Sequence, residues 1–293
     1  MKIFDKLFKE DAYGVAIRDI NRKNNPFTTK YPTIFQWYAD PFVCSSSMGD
    51  FLFVELLDYH NVYGQIAVAP IKDGKIGKFK IVISEPFHMS FPNVFQWNGV
   101  WYMVPETYQK KEMRLYRCES FPYKWKFYKT LVEGVELVDH AIKFKGDRAI
   151  IISMDIHNAD KRYSRVFELD LSKMLAKEVF PKGNFSQERA GGTFYTVGEK
   201  GYRVIQDCTR CYGEFLKVYE TDTITVDEIN EHEVRRVFAE DLILDKDRGI
   251  ERVHTYNNNG RYETVDFLYR KIYPNKISMR LWQHVIRKNR TRT

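Results

Sequence analysis

Six carboxylates occupy matching places along this 293-residue chain. Asp40 and Asp139 stand where alternating apolar segments begin, and Glu55, Glu106, Asp207 and Asp266 stand where such segments end. Crowded acids raise one another's pKa, so one can stay protonated while another serves as a base. Flanking a sugar's anomeric carbon, such a pair supports glycosyl transfer or hydrolysis. Asp40 is the first candidate for the base, although Asp-Pro is also a common turn. Glu106 and Asp139 are candidates for acid, orienting group or pKa tuner. His88, Arg189 and His254 lie just before or at the starts of the same segments. Arg189 suits either bidentate binding of a phosphate or carboxylate, or a salt bridge to Asp139 or Asp207. Gln206, Asp207 and Tyr212 suit hydrogen bonds to hydroxyls, and Trp37 or Trp101 suits stacking on a sugar. Trp101 lies within strand alternation, which favours core packing for it. Glu55, His88, His254 and Asp266 complete the expected substrate-binding set.

The elements that must hold these side chains read as hairpins. "FPNVFQWNGVWYMVPE", Phe91 to Glu106, alternates in period two and turns at Asn98-Gly99, a strong short-range hairpin signal. Weaker copies run from Asp40 to Glu55, Asp139 to Asp155, Gly192 to Asp207 and His254 to Asp266. Further strand-like runs follow most copies. The interval of about 50 residues belongs to repeat architectures, and strand-only repeats of this size predict four-stranded blades around a channel. An all-β, five-bladed propeller over 1–275 follows, with the N-terminal region completing the last blade; the alternative is a large β-sandwich. Helix is expected only in "LSKMLAKEVF" and at the two termini, including a short amphipathic one in 276–293. In an antiparallel hairpin the start of the first strand and the end of the second share one edge. All six acids therefore fall on one face of the disc, at the mouth of the channel.

Composition narrows the partners. The formal charge of +7 is concentrated in the tail, and without Arg280, Arg287, Lys288, Arg290 and Arg292 it falls to +2. That balance predicts no nucleic-acid partner. No run reaches the roughly 20 apolar residues of a membrane span, and no apolar leader opens the chain, so a cytoplasmic address is expected. Ile277, Leu281, Trp282, Val285 and Ile286 recur at helical spacing beside the tail cations. Such a segment suits peripheral contact with an anionic membrane face or docking on the propeller. Cys208 and Cys211 form a CxxC without a second pair or nearby ligands, so no metal is expected. Nucleotide-binding and serine-hydrolase motifs are absent, and no cofactor is expected.

Several segments resemble the β-propeller region of the plant glucosamine inositolphosphorylceramide transferase family and its bacterial relatives. They are "ADPF" (Ala39–Phe42), "HMSFPNVFQWNGVWYMVPET" (His88–Thr107), "LYRCESFPYKW" (Leu115–Trp125), "LVDHAI" (Leu137–Ile142), "RAGGTF" (Arg189–Phe194) and "YRVIQDCTRCYG" (Tyr202–Gly213). More distantly, the chain is similar to five-bladed glycoside hydrolases of families 43 and 32. The resemblance to family 43 implies Asp40 as base and Asp139 as pKa tuner and orienting group. The family's acid Glu opens its fourth blade, where only Glu188 lies near; the closer relatives keep the Arg and Gly-Gly there without the Glu. In the plant family a separate glycosyltransferase domain follows the propeller.

The function expected is a glycan-active enzyme, a glycosyltransferase of bacterial surface-polysaccharide, capsule or glycolipid assembly. Its partners would be a carbohydrate acceptor and a nucleotide-sugar or lipid-linked donor, met in the cytoplasm or at the inner membrane face. The alternatives are an intracellular family 43-like hydrolase using Asp40, Asp139 and Glu188, and a non-catalytic propeller that binds glycan or a partner enzyme.

Overall fold

The computed structural model describes residues 9–22, 26–157, 163–242 and 250–272. Every predicted hairpin forms. Blade 1 pairs Gln36–Ser46 with Gly49–Asp58, and blade 2 pairs Ser90–Trp97 with Val100–Glu106. Blade 3 pairs Leu137–Lys145 with Arg148–Asp155, and blade 4 pairs Tyr195–Val197 with Lys200–Asp207. In blade 5, Ile250–Arg252 and Tyr256–Asn258 both pair with Tyr262–Ile272. Third strands follow as Gly64–Lys72, Glu112–Ser120, Tyr163–Asp170 and Phe215–Ile224. Outer strands follow as Lys75–Ile76 with Lys80–Ile83, Lys124–Glu133, Leu175–Val179 and Ile229–Val237. The protein is a five-bladed β-propeller of antiparallel blades.

Closure is non-covalent. Lys9–Asp19 lies along Tyr262–Ile272 in antiparallel register, from Lys9↔Ile272 to Asp19↔Tyr262, and Thr28–Lys30 adds the outer edge. The N-terminal region thus completes the last blade, as the sequence reading expects.

Burial on both faces explains why several strands read as continuous apolar runs. In "DFLFVELL" the side chains of Phe51 and Phe53 pack toward blade 2 with Met103 and Tyr116. Leu52 and Val54, between and beside them, pack toward blade 5 with Val15 and Ile17. Each such side chain contributes about 1.5–3 kcal/mol on full burial.

"LSKMLAKEVF" is not a helix. Residues 171–174 turn, with Met174 at φ 49°, and Leu175–Val179 pairs with the blade 3 strand Tyr163–Asp170. Its residues are good helix formers, but an isolated helix of this length is marginal. An unpaired blade edge offers a ladder of hydrogen bonds instead. The expected terminal helices and the tail 276–293 lie outside the described residues. Among those residues no helix is long and apolar enough to cross a membrane.

Below the mouth, a belt of short polar side chains ties the inner strands together across the channel. Asn93 Nδ2 donates to the His140 carbonyl (2.9 Å) and to Thr193 Oγ1 (3.0 Å). Thr193 N donates to Asn257 Oδ1 (2.8 Å), while Asn257 Nδ2 and Thr264 Oγ1 both donate to the Pro41 carbonyl. Gly192 (φ +154°) is required beside it, since a Cβ there would lie 2.0 Å from the Tyr256 carbonyl.

Candidate active site at the channel mouth

Three inner strands carry the same defect at the mouth. Register breaks between Ala39 and Phe42, between Ser90 and Asn93, and between Val138 and Ala141. In each case two residues oppose one on the partner strand, which is a β-bulge. Asp40, Phe91 and Asp139 are the left-handed residues of these bulges, at φ 50°, 47° and 49°. That conformation costs about 1–2 kcal/mol for a residue with a side chain, and here it turns Asp40 and Asp139 out of the regular strand alternation.

Carboxylates from neighbouring blades hold the three bulges. Asp40 N donates to Asp266 Oδ2 (2.9 Å), Phe91 N to Asp40 Oδ2 (3.0 Å) and Asp139 N to Glu106 Oε2 (3.2 Å). The acids at the hairpin ends therefore stitch blade 5 to blade 1, blade 1 to blade 2 and blade 2 to blade 3. A buried N–H left unpaired would cost about 1–3 kcal/mol, so this part of the ring holds the fold together.

Two clusters face each other across the mouth. In the first, Thr255 Oγ1 donates to Asp40 Oδ1 (2.8 Å), and Asp266 Oδ1 bonds His254 Nδ1 (2.7 Å). His254 Nε2 then lies 3.7 Å from Asp40 Oδ1. Burial, opposed by His254 and reinforced by Asp266 and Asp139, pushes the Asp40 carboxyl up to about 6. His254 is raised above the usual imidazole value: burial alone would lower it, but Asp266 and Asp40 more than offset that. Asp40, His254 and Asp266 offer ligand atoms within 4.8 Å of one another, a geometry able to hold a cation. The His254–Asp266 bond and the bonds from Phe91 N, the Thr255 hydroxyl and Asp40 N already occupy most of those atoms.

In the second cluster, Arg189 pairs bidentately with Asp139 and approaches Glu106 Oε2 to 3.6 Å. Gln206 Nε2 donates to Asp139 Oδ2 (3.2 Å) and to the Ala190 carbonyl (2.8 Å). The Tyr212 ring covers the guanidinium, 5.1 Å from its carbon. Burial, with Asp139 beside it, holds Glu106 well above the usual carboxylate range. Of the alternatives open for Arg189, the structure realises the salt bridge to Asp139.

Glu55 is the odd member. It lies three residues before the end of the second strand of blade 1, opposite Ala39 at the bulge, yet the neighbouring bulge it would serve, at Phe91, is already held by Asp40. Its Oε1 is buried without a hydrogen bond, 3.3 Å from His88 Nε2. His88 Nδ1 accepts from Gly64 N (3.0 Å), and burial lowers this histidine to about 4. Burial, aided by Asp40 and Glu106, raises Glu55 well above its ordinary value. A raised folded-state pKa favours the native state below the unfolded value and loses that advantage as pH rises through the folded one. Glu55→Gln stays neutral throughout. Its unfolding midpoint should match wild type at about pH 4 and exceed it at about pH 8; parallel midpoints at both pH values would contradict a protonated Glu55.

Residues 24–257 match the family described as Glucosamine inositolphosphorylceramide transferase 1, N-terminal. The chain belongs to that family. It is 30% identical over 210 residues to Glucosamine inositolphosphorylceramide transferase 1 of Oryza sativa subsp. indica, covering 69% of this chain and 28% of that protein. The chain thus matches little more than a quarter of the length of that relative. In fold it is similar to the catalytic domain of the Coprinopsis cinerea GH62 α-L-arabinofuranosidase, with TM-score 0.60, 11% identity, and 81% and 92% of the two chains covered. The Lactobacillus brevis α-L-arabinofuranosidase gives TM-score 0.53 at 11% identity, over 76% and 80%. In this member of the transferase family, the mouth acids sit on a propeller framework shared with glycoside hydrolases.

Not every expected residue joins the clusters. Asp207 lies 2.8 Å from Lys217 Nζ and accepts from Thr209 N (3.0 Å), and hydrogen bonds to these partners hold its carboxyl below the usual value despite its burial. Glu188 is held by the same Lys217 at 2.9 and 3.1 Å. Trp37 sits at the mouth, 5.7 Å from the Tyr13 ring, and Tyr13 in turn lies 4.6 Å from the His254 ring. Trp101 stacks on Phe121 (4.3 Å) within the core, as its alternation predicts. Tyr13, Thr255 and Lys217 are the contributors that sequence reasoning missed. Tyr13 reaches the site through the closing strand, and only its place in an alternating N-terminal segment hinted at it. Cys208 and Cys211 form no disulfide, and neither belongs to a group of three or more metal-ligating side chains among the described residues.

Proposed function

We propose that the channel mouth transfers a sugar from an activated donor to a carbohydrate acceptor, with Asp40 as the base. The observation that carries this reading is the Asp40 carboxyl, buried against His254 and poised near neutrality at about 6. A general base works best with a pKa close to the operating pH. Glu106, held protonated by burial and by Asp139, is the group able to give a proton to a departing oxygen. Arg189 fixes Asp139 and Glu106 in place at the mouth. The Tyr13, Trp37 and Tyr212 rings line the approach for a sugar face.

The engagement of Glu188 favours transfer over family 43-like hydrolysis. An acid catalyst must hold a proton, and Glu188 instead shares Lys217 with Asp207. Membership of a family whose named relatives are transferases supports the same direction. The reaction we propose belongs to surface-polysaccharide or glycolipid assembly, in the cytoplasm or at its membrane face.

Incubation with a panel of nucleotide sugars and sugar acceptors, following donor loss, tests the proposal. Release of reducing sugar from oligosaccharides without donor consumption would establish hydrolysis instead, and saturable glycan binding without turnover in either assay would establish a binding module. Turnover should also rise with pH through about 6 as Asp40 ionises. A rate that falls over that interval would remove Asp40 from the role of base.

A further inference from the structure

A second cleft, of about 990 Å³, opens between blades 4 and 5 at the other end of the strands. Its residues lie toward the hairpin turns: Tyr202 is five residues from Asp207 on one strand, about 17 Å at strand rise. It shares no residue with the mouth clusters.

The floor of this cleft is built of fixed donor–acceptor pairs. Arg18 donates through Nε to Glu263 Oε2 (2.7 Å), and the Tyr256 hydroxyl donates to Glu263 Oε1 (2.7 Å). Arg22 Nε lies 3.5 Å from the buried Asp19 carboxylate. Tyr195 and Tyr202 stack at 5.3 Å beside them. The rim carries Ile20, Val197 and Val234, three aliphatic side chains that are 41%, 55% and 42% exposed. The exposed Arg235 guanidinium lies beside the Tyr195 hydroxyl, and no ion pair joins it to a carboxylate among the described residues.

These features select a chemistry. Alternating donors and acceptors held rigid by ion pairs match vicinal hydroxyls, each of which both donates and accepts. The exposed aliphatic rim and the half-buried Tyr202 ring match the C–H face of a sugar ring, and a concave surface with a few convergent polar groups marks binding sites. The two carboxylates are consumed by Arg18 and Arg22, so the unbalanced charge is the Arg235 guanidinium, a strong partner for an anion. We infer that the blade 4–blade 5 cleft binds a sugar unit carrying an anionic group, separately from the mouth. The inference stands whether the mouth transfers, hydrolyses or only binds.

The test titrates the full-length protein by calorimetry with hexagalacturonate, glucose 6-phosphate, a neutral xylo-oligosaccharide of equal length, and inorganic phosphate. Saturable binding of hexagalacturonate or of glucose 6-phosphate, tighter than both the neutral chain and free phosphate, is expected; which of the two binds tells carboxylate from phosphate. Arg235→Gln should weaken that binding about tenfold, the worth of one charge-assisted hydrogen bond. Val197→Glu, at an exposed rim position, should weaken it through like charge, and Asp40→Asn should leave it unchanged. Absence of saturable binding, equal affinity for inorganic phosphate, or affinity untouched by both Arg235→Gln and Val197→Glu would overturn the assignment. Loss of the binding in Asp40→Asn would relocate it to the mouth.

Discussion

Asp40→Asn is expected to lower turnover by about 10²- to 10⁴-fold, the range for losing a general base, while moving the unfolding midpoint by only a few degrees. The contacts explain the separation. One carboxylate oxygen accepts from Phe91 N and the other from the Thr255 hydroxyl. An asparagine can keep its amide oxygen toward Phe91 and turn its amide nitrogen toward Thr255, whose hydroxyl rotates to accept. The bulge at Phe91 therefore stays held, and a buried group that resisted ionisation becomes permanently neutral. Asp40→Ala lacks both contacts and should lose stability along with turnover. Donor consumption measured beside thermal unfolding for the two variants checks this. A large fall in midpoint for Asp40→Asn would make the residue structural, and wild-type turnover would take it out of the chemistry.

Arg203→Met is expected to give the largest loss of stability, about 3–5 kcal/mol, or a midpoint lower by on the order of 10 °C. Arg203 and Glu231 are both buried, joined by Nε to Oε2 at 2.9 Å and by a second contact through Nη2. Arg203 Nη2 also donates to the Ser186 carbonyl (2.8 Å), and Glu231 Oε1 accepts from Ser186 N (2.8 Å). Removing the cation leaves a buried carboxylate without its partner, which costs more than the pair contributed. The pair also anchors the segment before blade 4 that presents Arg189, so the donor-dependent rate should fall with it. Arg203→Met combined with Glu231→Leu should recover much of the stability, because replacing both charges by apolar groups is often neutral. Chemical denaturation of the single and double variants decides the matter: a single variant within about 1 kcal/mol of wild type would show that the pair is not holding this part of the blade.

The hairpins were legible because their signals are local. Asn98-Gly99 between apolar runs, period-two alternation and the recurrence of strand pairs depend on neighbours in sequence, and together they specify blades and their number. The placement of six acids toward one face also followed, because antiparallel pairing alone puts the start of one strand beside the end of the next. Family membership was legible for the same reason, in ordered motifs such as "ADPF" and "RAGGTF". What tertiary structure decided depends on residues far apart in the chain. Asp40 meets Asp266 and Thr255 only when blade 5 closes against blade 1; Asp266 then holds its left-handed backbone, and the burial that closure brings raises its pKa, with Asp266 reinforcing and the Thr255 hydroxyl opposing. Lys217 withdraws Glu188 and Asp207 from the ring, and Asp40, by taking the Phe91 amide, leaves Glu55 without that contact. Leu175–Val179 of "LSKMLAKEVF" became a strand because the edge of blade 3 offered it hydrogen bonds that no local propensity could foresee. Local chemistry wrote the blades; closure of the ring assigned each acid its partner, because a buried carboxyl's state is set by whichever charges and donors folding brings within a few ångströms of it.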